Sequence, residues 1–332
     1  MGSAISFKDQ EQFREAIGAR LYEAMRQADA LPDVGIDQTL LDRSHLRPPA
    51  ELQDRLRRLR KHVDDRAPTY LKELVARLAA FAKEPQMMGL LALVISVVME
   101  TVYATSRRPP RGAGAESRVT ELRDLMEEYL KRCRMHESNV GRLRDDTRRL
   151  EAQLSFQLTQ IRGAVQREGQ VNSWVLKHWV NGAVLHGHML VQLARMDGGG
   201  TEAACAALAT YRGDLSELLT AYRRYKAGTV RISKRWAGQP VEEAVADTAA
   251  VGYSVRDVEL GKSANVPPLD DAPSGSPFLT SESCVEAYLD HVFSHHSPIA
   301  ELDRHFCKII ENLQELTAPG GDDPPARTNQ AS

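Results

Sequence analysis

The sequence predicts an all-α protein: an elongated helical bundle with one long coiled-coil-like helix and two unusually apolar helices. Three observations predict it. Ala, Leu, Arg and Glu recur throughout, aromatic residues make up only 6% of the chain, and β-branched runs are few, which is a helix-forming composition. Apolar residues repeat with alternating four- and three-residue spacing from Leu122 to Ile161. Two further stretches, near residues 85–99 and 177–195, carry almost no charge and are too long for single strands.

The elements follow in chain order. Ser6, with Asp9 three residues on, makes a capping arrangement for a first helix, whose Phe13, Ile17, Leu21 and Met25 form one apolar stripe. Leu31 to Pro49 reads as a connector. Leu52, Leu56, Leu59 and Val63 set a short amphipathic helix whose outer face is basic, and Pro68 opens a third helix that turns Leu71, Leu74, Val75, Leu78 and Phe81 inward. These segments, with an apolar helix over 85–106, make an N-terminal helical region of residues 1–106.

PQMMGLLALVISVVM, from Pro85 to Met99, is the least polar stretch and has no polar face. Its core is Leu90, Leu91, Leu93, Val94, Ile95, Val97 and Val98. A bilayer crossing asks for about 20 mainly apolar residues, and Glu100 ends this run short of that. A helix apolar all round must be covered by protein or by lipid. The run is therefore the central helix of a bundle, a membrane segment sheltered until released, or a short anchor.

RRPPRGAGAES opens a second region, residues 107–250, that holds the long helix and a helical hairpin. Leu122, Met126, Tyr129, Cys133, His136, Val140, Leu143, Thr147, Leu150, Leu154, Gln157 and Ile161 form the seam of one continuous rod about 70 Å long. His136, Thr147 and Gln157 weaken it. VNSWVLKHWVNGAVLHGHMLVQLARM is the second apolar helix, with His178, His186 and His188 expected to hydrogen-bond within a core, and DGGGT turns it into a partner helix beginning at Thr201. After Ala237 the pattern decays through a short helix near 241–250. Residues 251–282, containing GKSANVPPLDDAPSGSP, read as a linker, residues 283–317 as two closing helices, and residues 318–332 as a disordered tail. The chain carries no internal repeat that would make a solenoid.

The functional signals are electrostatic and N-terminal. MGSAISF fits the M-G-x-x-x-[ST] pattern, so Gly2 is a candidate acceptor for N-myristoylation. Leu218 to Val241 has six bases and no acid: Arg223, Arg224, Lys226, Arg231, Lys234 and Arg235, interleaved with Tyr222, Tyr225 and Trp236. A second basic run holds Arg55, Arg57, Arg58, Arg60 and Lys61. Such runs hold phosphates or lipid headgroups, or else form solvated surface. A myristoyl chain alone binds membranes only marginally and needs a second signal, which the basic runs or the 85–99 helix would supply.

Other classes find less support. The net charge of −2 argues against nucleic acid as a partner. The four cysteines, Cys133, Cys205, Cys284 and Cys307, make no C-x-x-C pair, which suits reduced thiols in a cytoplasmic protein. DHVFSHH places His291 and His295 one helical turn apart, with His305 and Cys307 downstream, but the spacing fixes no further ligand, and the histidines read as surface or packing groups. Nucleotide, zinc-protease and nucleophile-elbow motifs are missing, so neither an enzyme nor a cofactor is expected.

The plan is broadly similar to that of α-helical pore formers, which pair long rods with a masked apolar segment. The expected protein is lipid-anchored and cytoplasmic, peripheral at an anionic membrane, with a binding or membrane-perturbing role and room for a protein partner or self-association. The alternative is a soluble coiled-coil scaffold or adaptor with no membrane role.

Overall fold

In the computed structural model of the chain, the residues described are 7–36, 114–135, 139–197, 200–236, 250–267 and 280–315. Helix makes up 77% of them, in eight helices, with one small three-stranded sheet. The helices and strands are α1 (Phe7–Gln27), α2 (Ala115–Met135), α3 (Val140–Glu168), α4 (Ser173–Asp197), α5 (Glu202–Thr229), β1 (Val230–Trp236), β2 (Ala250–Asp257), β3 (Lys262–Val266), α6 (Ser281–His295), α7 (Ser297–Ala300) and α8 (Leu302–Glu315). Gly2, the basic run 55–61, the apolar run 85–99 and the tail lie outside the described residues, as does most of the expected helix near 241–250. Among the described residues no helix is long and apolar enough to cross a membrane.

The all-α expectation is roughly supported, the described residues being mostly helical. One small sheet refines it, because V-R-I-S-K and Y-S-V-R-D alternate with a period of two and carry the β-branched residues Val230, Ile232 and Val255 on one side. Two further expectations are corrected. Residues 251–266, expected as linker, hold most of β2 and all of β3. The seam from Leu122 to Ile161 belongs to two helices rather than one rod. The Asn139 side chain accepts from the Arg142 amide at 3.0 Å and so caps the start of α3. Arg132 of α2 donates to Asp146 of α3 at 3.0 Å. Fourteen residues along one helix would set the two Cα atoms about 21 Å apart, so α2 and α3 fold back on each other.

The chain divides into two compact units. One takes residues 36–164, 178–215 and 303–332. Its core holds Leu122, Leu154, Leu158, Trp179, Val184, Leu208, Phe306 and Leu313. The apolar stretch of α4 is buried here on most of its sides. Its Gly187 lets it meet α5 closely, since an added Cβ would lie 2.7 Å from a Leu208 carbon. His186 is 3% exposed, and its Nε2 donates to the Glu151 carboxylate at 2.7 Å, leaving Nδ1 to accept from the Tyr211 hydroxyl at 3.0 Å. Burial pushes the Tyr211 phenol up to about 12, so it stays a donor. The expectation that His186 hydrogen-bonds inside a core matches this geometry.

The second unit takes residues 1–35, 165–177 and 216–302. Here α1 turns Ile17, Leu21 and Met25 inward and packs on α6 and β3. The sheet is antiparallel in the order β1-β2-β3. It buries Val230, Ile232, Val255 and Val266 toward the core and exposes its other face.

Candidate functional site

Residues directly opposite in an antiparallel sheet share a face. The register pairs Arg231 with Arg256 and Arg256 with Ser263, Ser233 with Ser254 and Ser254 with Asn265, and Arg235 with Gly252. All of these lie on the face opposite Val230, Ile232 and Val255. That outer face therefore carries three arginines, three serines and one asparagine in three rows, and no carboxylate among the described residues. Arg231, Arg235, Arg256, Ser263 and Asn265 are exposed, and Ser233 and Ser254 half-buried.

Two features of the arrangement are costly for folding alone. Arg231 and Arg256 stand directly across from each other, and like charges so placed on neighbouring strands repel. Neither Arg235 nor Arg256 makes an ion pair among the described residues, while Arg231 reaches only the carbonyl oxygen of its neighbour Val230, at 3.2 Å. Gly252 sits opposite Arg235 with φ +136°, and a Cβ there would fall 2.1 Å from the Val266 carbonyl oxygen. Glycine is thus what lets β3 close on β2 at that row.

The acids at the end of β2 and in the turn after it are turned inward and neutralised. Lys226, in the last turn of α5, is 3% exposed. Its ammonium pairs with Asp257, which is fully buried at the end of β2, and with Glu259 at 3.0 Å in the turn that follows. The other lone pairs of both carboxylates are also used. Asp257 accepts from the Leu260 amide at 3.2 Å, and Glu259 accepts from the Ser173 amide and hydroxyl, each at 2.8 Å. The Ser173 hydroxyl also lies 2.9 Å from that of Tyr222, whose phenol is held well above its usual range by burial. This network pins the β2–β3 turn to the N-terminus of α4 and the end of α5, and so fixes the plane on which the arginines stand.

The expected basic patch is split by this fold. Lys226 is the clearest correction: it is an internal cation, not a surface one. Lys234 falls on the opposite side of β1 from Arg231 and Arg235, half-buried near Cys284. Burial pushes the Cys284 thiol up to about 11. Arg223 donates to Asp290 at 2.6 Å and lies over the Phe293 ring at 5.4 Å, and Asp290 is shared with Arg14 at 2.5 Å. Arg224 donates to the Gly169 carbonyl. Only Arg231 and Arg235 of the expected patch reach the outer sheet face.

Arg256 was not among the expected site residues, because its segment read as linker. The alternation in Y-S-V-R-D, a period of two ending on a buried acid, is the signal that locates it. The histidines of DHVFSHH stack instead of spreading as ligands, His291 and His295 having ring centroids 4.1 Å apart. Among the described residues no group of three or more His, Cys, Asp or Glu side chains is placed to hold a metal ion.

Compared with known protein families, with curated proteins and with solved structures, the chain matches none.

Proposed function

We propose that the protein is a peripheral membrane-binding protein, a helical bundle with coiled-coil-like packing that is tethered by an N-myristoyl group on Gly2 and aligned on anionic lipid by its basic surfaces. The observation that carries this reading is the outer face of the sheet, where Arg231, Arg235 and Arg256 meet no carboxylate among the described residues and two of them oppose each other across a strand pair. Exposed arginines kept at a cost to the sheet fit a negatively charged counter-surface, and each base near an anionic leaflet is worth about 1 kcal/mol. One acyl chain gives only marginal attachment, so the two signals together account for stable binding where neither would alone. The apolar run 85–99 extends the proposal to membrane perturbation.

Fractionation of cells making the wild-type chain and Gly2→Ala tests the tether. The wild type should pellet with membranes, and Gly2→Ala should move largely to the soluble fraction. If both stay soluble and the mature chain carries no acyl group, the soluble scaffold stands in its place.

A further inference from the structure

The outer sheet face narrows the class of lipid, an inference that rests on the membrane reading above. We propose that Arg231 and Arg256 form a clamp for a phosphomonoester headgroup, in preference to the phosphodiester and carboxylate groups of ordinary anionic lipids.

The argument is one of charge and shape. Directly opposite residues in an antiparallel pair have Cβ atoms about 5 Å apart, so the two guanidinium forks can close on one tetrahedral anion from both sides. A phosphodiester brings a single negative charge and leaves one of the opposed cations uncompensated. A phosphomonoester brings close to two charges at neutral pH and three strong acceptor oxygens. It cancels the repulsion that the sheet otherwise bears, and it offers the edges that bidentate arginine contacts need.

The neighbouring positions add donors and exclude competition. Ser263 continues the Arg231–Arg256 row, and Ser233, Ser254 and Asn265 form the next row. Arg235 lies four residues along β1 from Arg231, about 13 Å away at the usual strand rise, far enough to meet a second headgroup. Asp257 and Glu259, the acids nearest Arg256 in sequence, are engaged by Lys226 on the other side of the sheet and do not compete for the clamp. The exposure of all three arginines favours a headgroup displayed on a surface over a small solute, which binds best in a concave pocket.

Cosedimentation of the myristoylated full-length chain with vesicles tests this. One set is phosphatidylcholine with phosphatidic acid, and the other is phosphatidylcholine with phosphatidylserine, adjusted to the same surface charge. The wild type should bind the phosphatidic acid set about tenfold more tightly. Arg231→Lys with Arg256→Lys keeps the charge but removes the forks, and should bind both sets alike with its melting temperature preserved. Equal wild-type binding to the two sets overturns the clamp while leaving the membrane reading intact; binding to neither set fails that reading itself. Displacement from vesicles by millimolar inorganic phosphate at constant ionic strength, or tighter binding to single-stranded RNA than to phosphatidic acid vesicles, would overturn the lipid headgroup as the occupant.

Discussion

At the scale of single residues, the cations of this protein divide into two kinds that sequence composition does not separate. Lys226 is buried against two carboxylates, and removing it leaves Asp257 as an uncompensated internal charge. Lys226→Ala should cost about 3–5 kcal/mol, seen as a large fall in melting temperature or loss of soluble protein. Arg256→Gln should do the opposite. It relieves a like-charge pair on an exposed face, so its melting temperature should equal or slightly exceed that of the wild type. A marked loss of stability in Arg256→Gln would mean that the arginine serves the fold instead of a ligand.

Gly18 gives a second test at this scale. Glycine within a helix is normally worth replacing, since Ala is favoured there by about 1 kcal/mol. In α1, however, a Cβ at position 18 would lie 2.4 Å from the Ala287 carbonyl oxygen of α6. The oxygen is backbone and cannot rotate away. Gly18→Ala should therefore destabilise the protein by about 1–3 kcal/mol in thermal unfolding, reversing the sign that propensity alone gives.

Among elements, the contact between α1 and α6 has a titratable seam. Tyr22 packs on His291 with centroids 5.0 Å apart, His291 stacks on His295, and His296 donates from Nε2 to the Pro32 carbonyl at 2.9 Å. Burial holds His291 below its ordinary 6.5, with the charge of His295 adding to the effect and Glu15 opposing it. Burial likewise lowers His296, opposed by its bond to Pro32 and by Asp33. A folded-state value below the unfolded one means that the unfolded chain takes up protons first. The histidines then contribute stability that is complete above 6.5 and is lost as pH falls through that value toward the lower folded ones. Melting temperature should drop between about pH 7.5 and about pH 5.5, and the drop should shrink in His291→Gln. An unchanged slope in that variant would place the pH dependence elsewhere.

How much of this was legible in the sequence also depends on the element. α1, α4, α5 and the closing helices follow from apolar spacing, because each buries a wide stripe and the pattern survives whatever packs on it. The sheet was hidden by its own basic residues: read as a run, Arg231, Lys234 and Arg235 form one patch, whereas the pleat sends Lys234 to the other face. The break at Asn139 was hidden by a seam that keeps its spacing through the turn. Arg256 and Lys226 needed pairing information, since strand register and a long-range ion pair leave no trace in local periodicity.

For the whole molecule, the proposed acylation of Gly2 would act together with a rigid cationic face. The face is held by the buried Lys226 network and by Gly252, so it can be altered on its surface without disturbing what supports it. Association with anionic membranes should then behave as electrostatic binding, falling as salt rises and the screening length between exposed charges shortens. The most direct measurement is the partition of myristoylated full-length protein onto anionic vesicles, comparing the wild type with Arg231→Glu, Arg235→Glu and Arg256→Glu combined, at low and at physiological salt. Strong binding that falls as salt rises is predicted for the wild type, and for the folded triple variant only weak attachment through its acyl chain that does not fall as salt rises. Equal binding by the two proteins at both salt concentrations would contradict it.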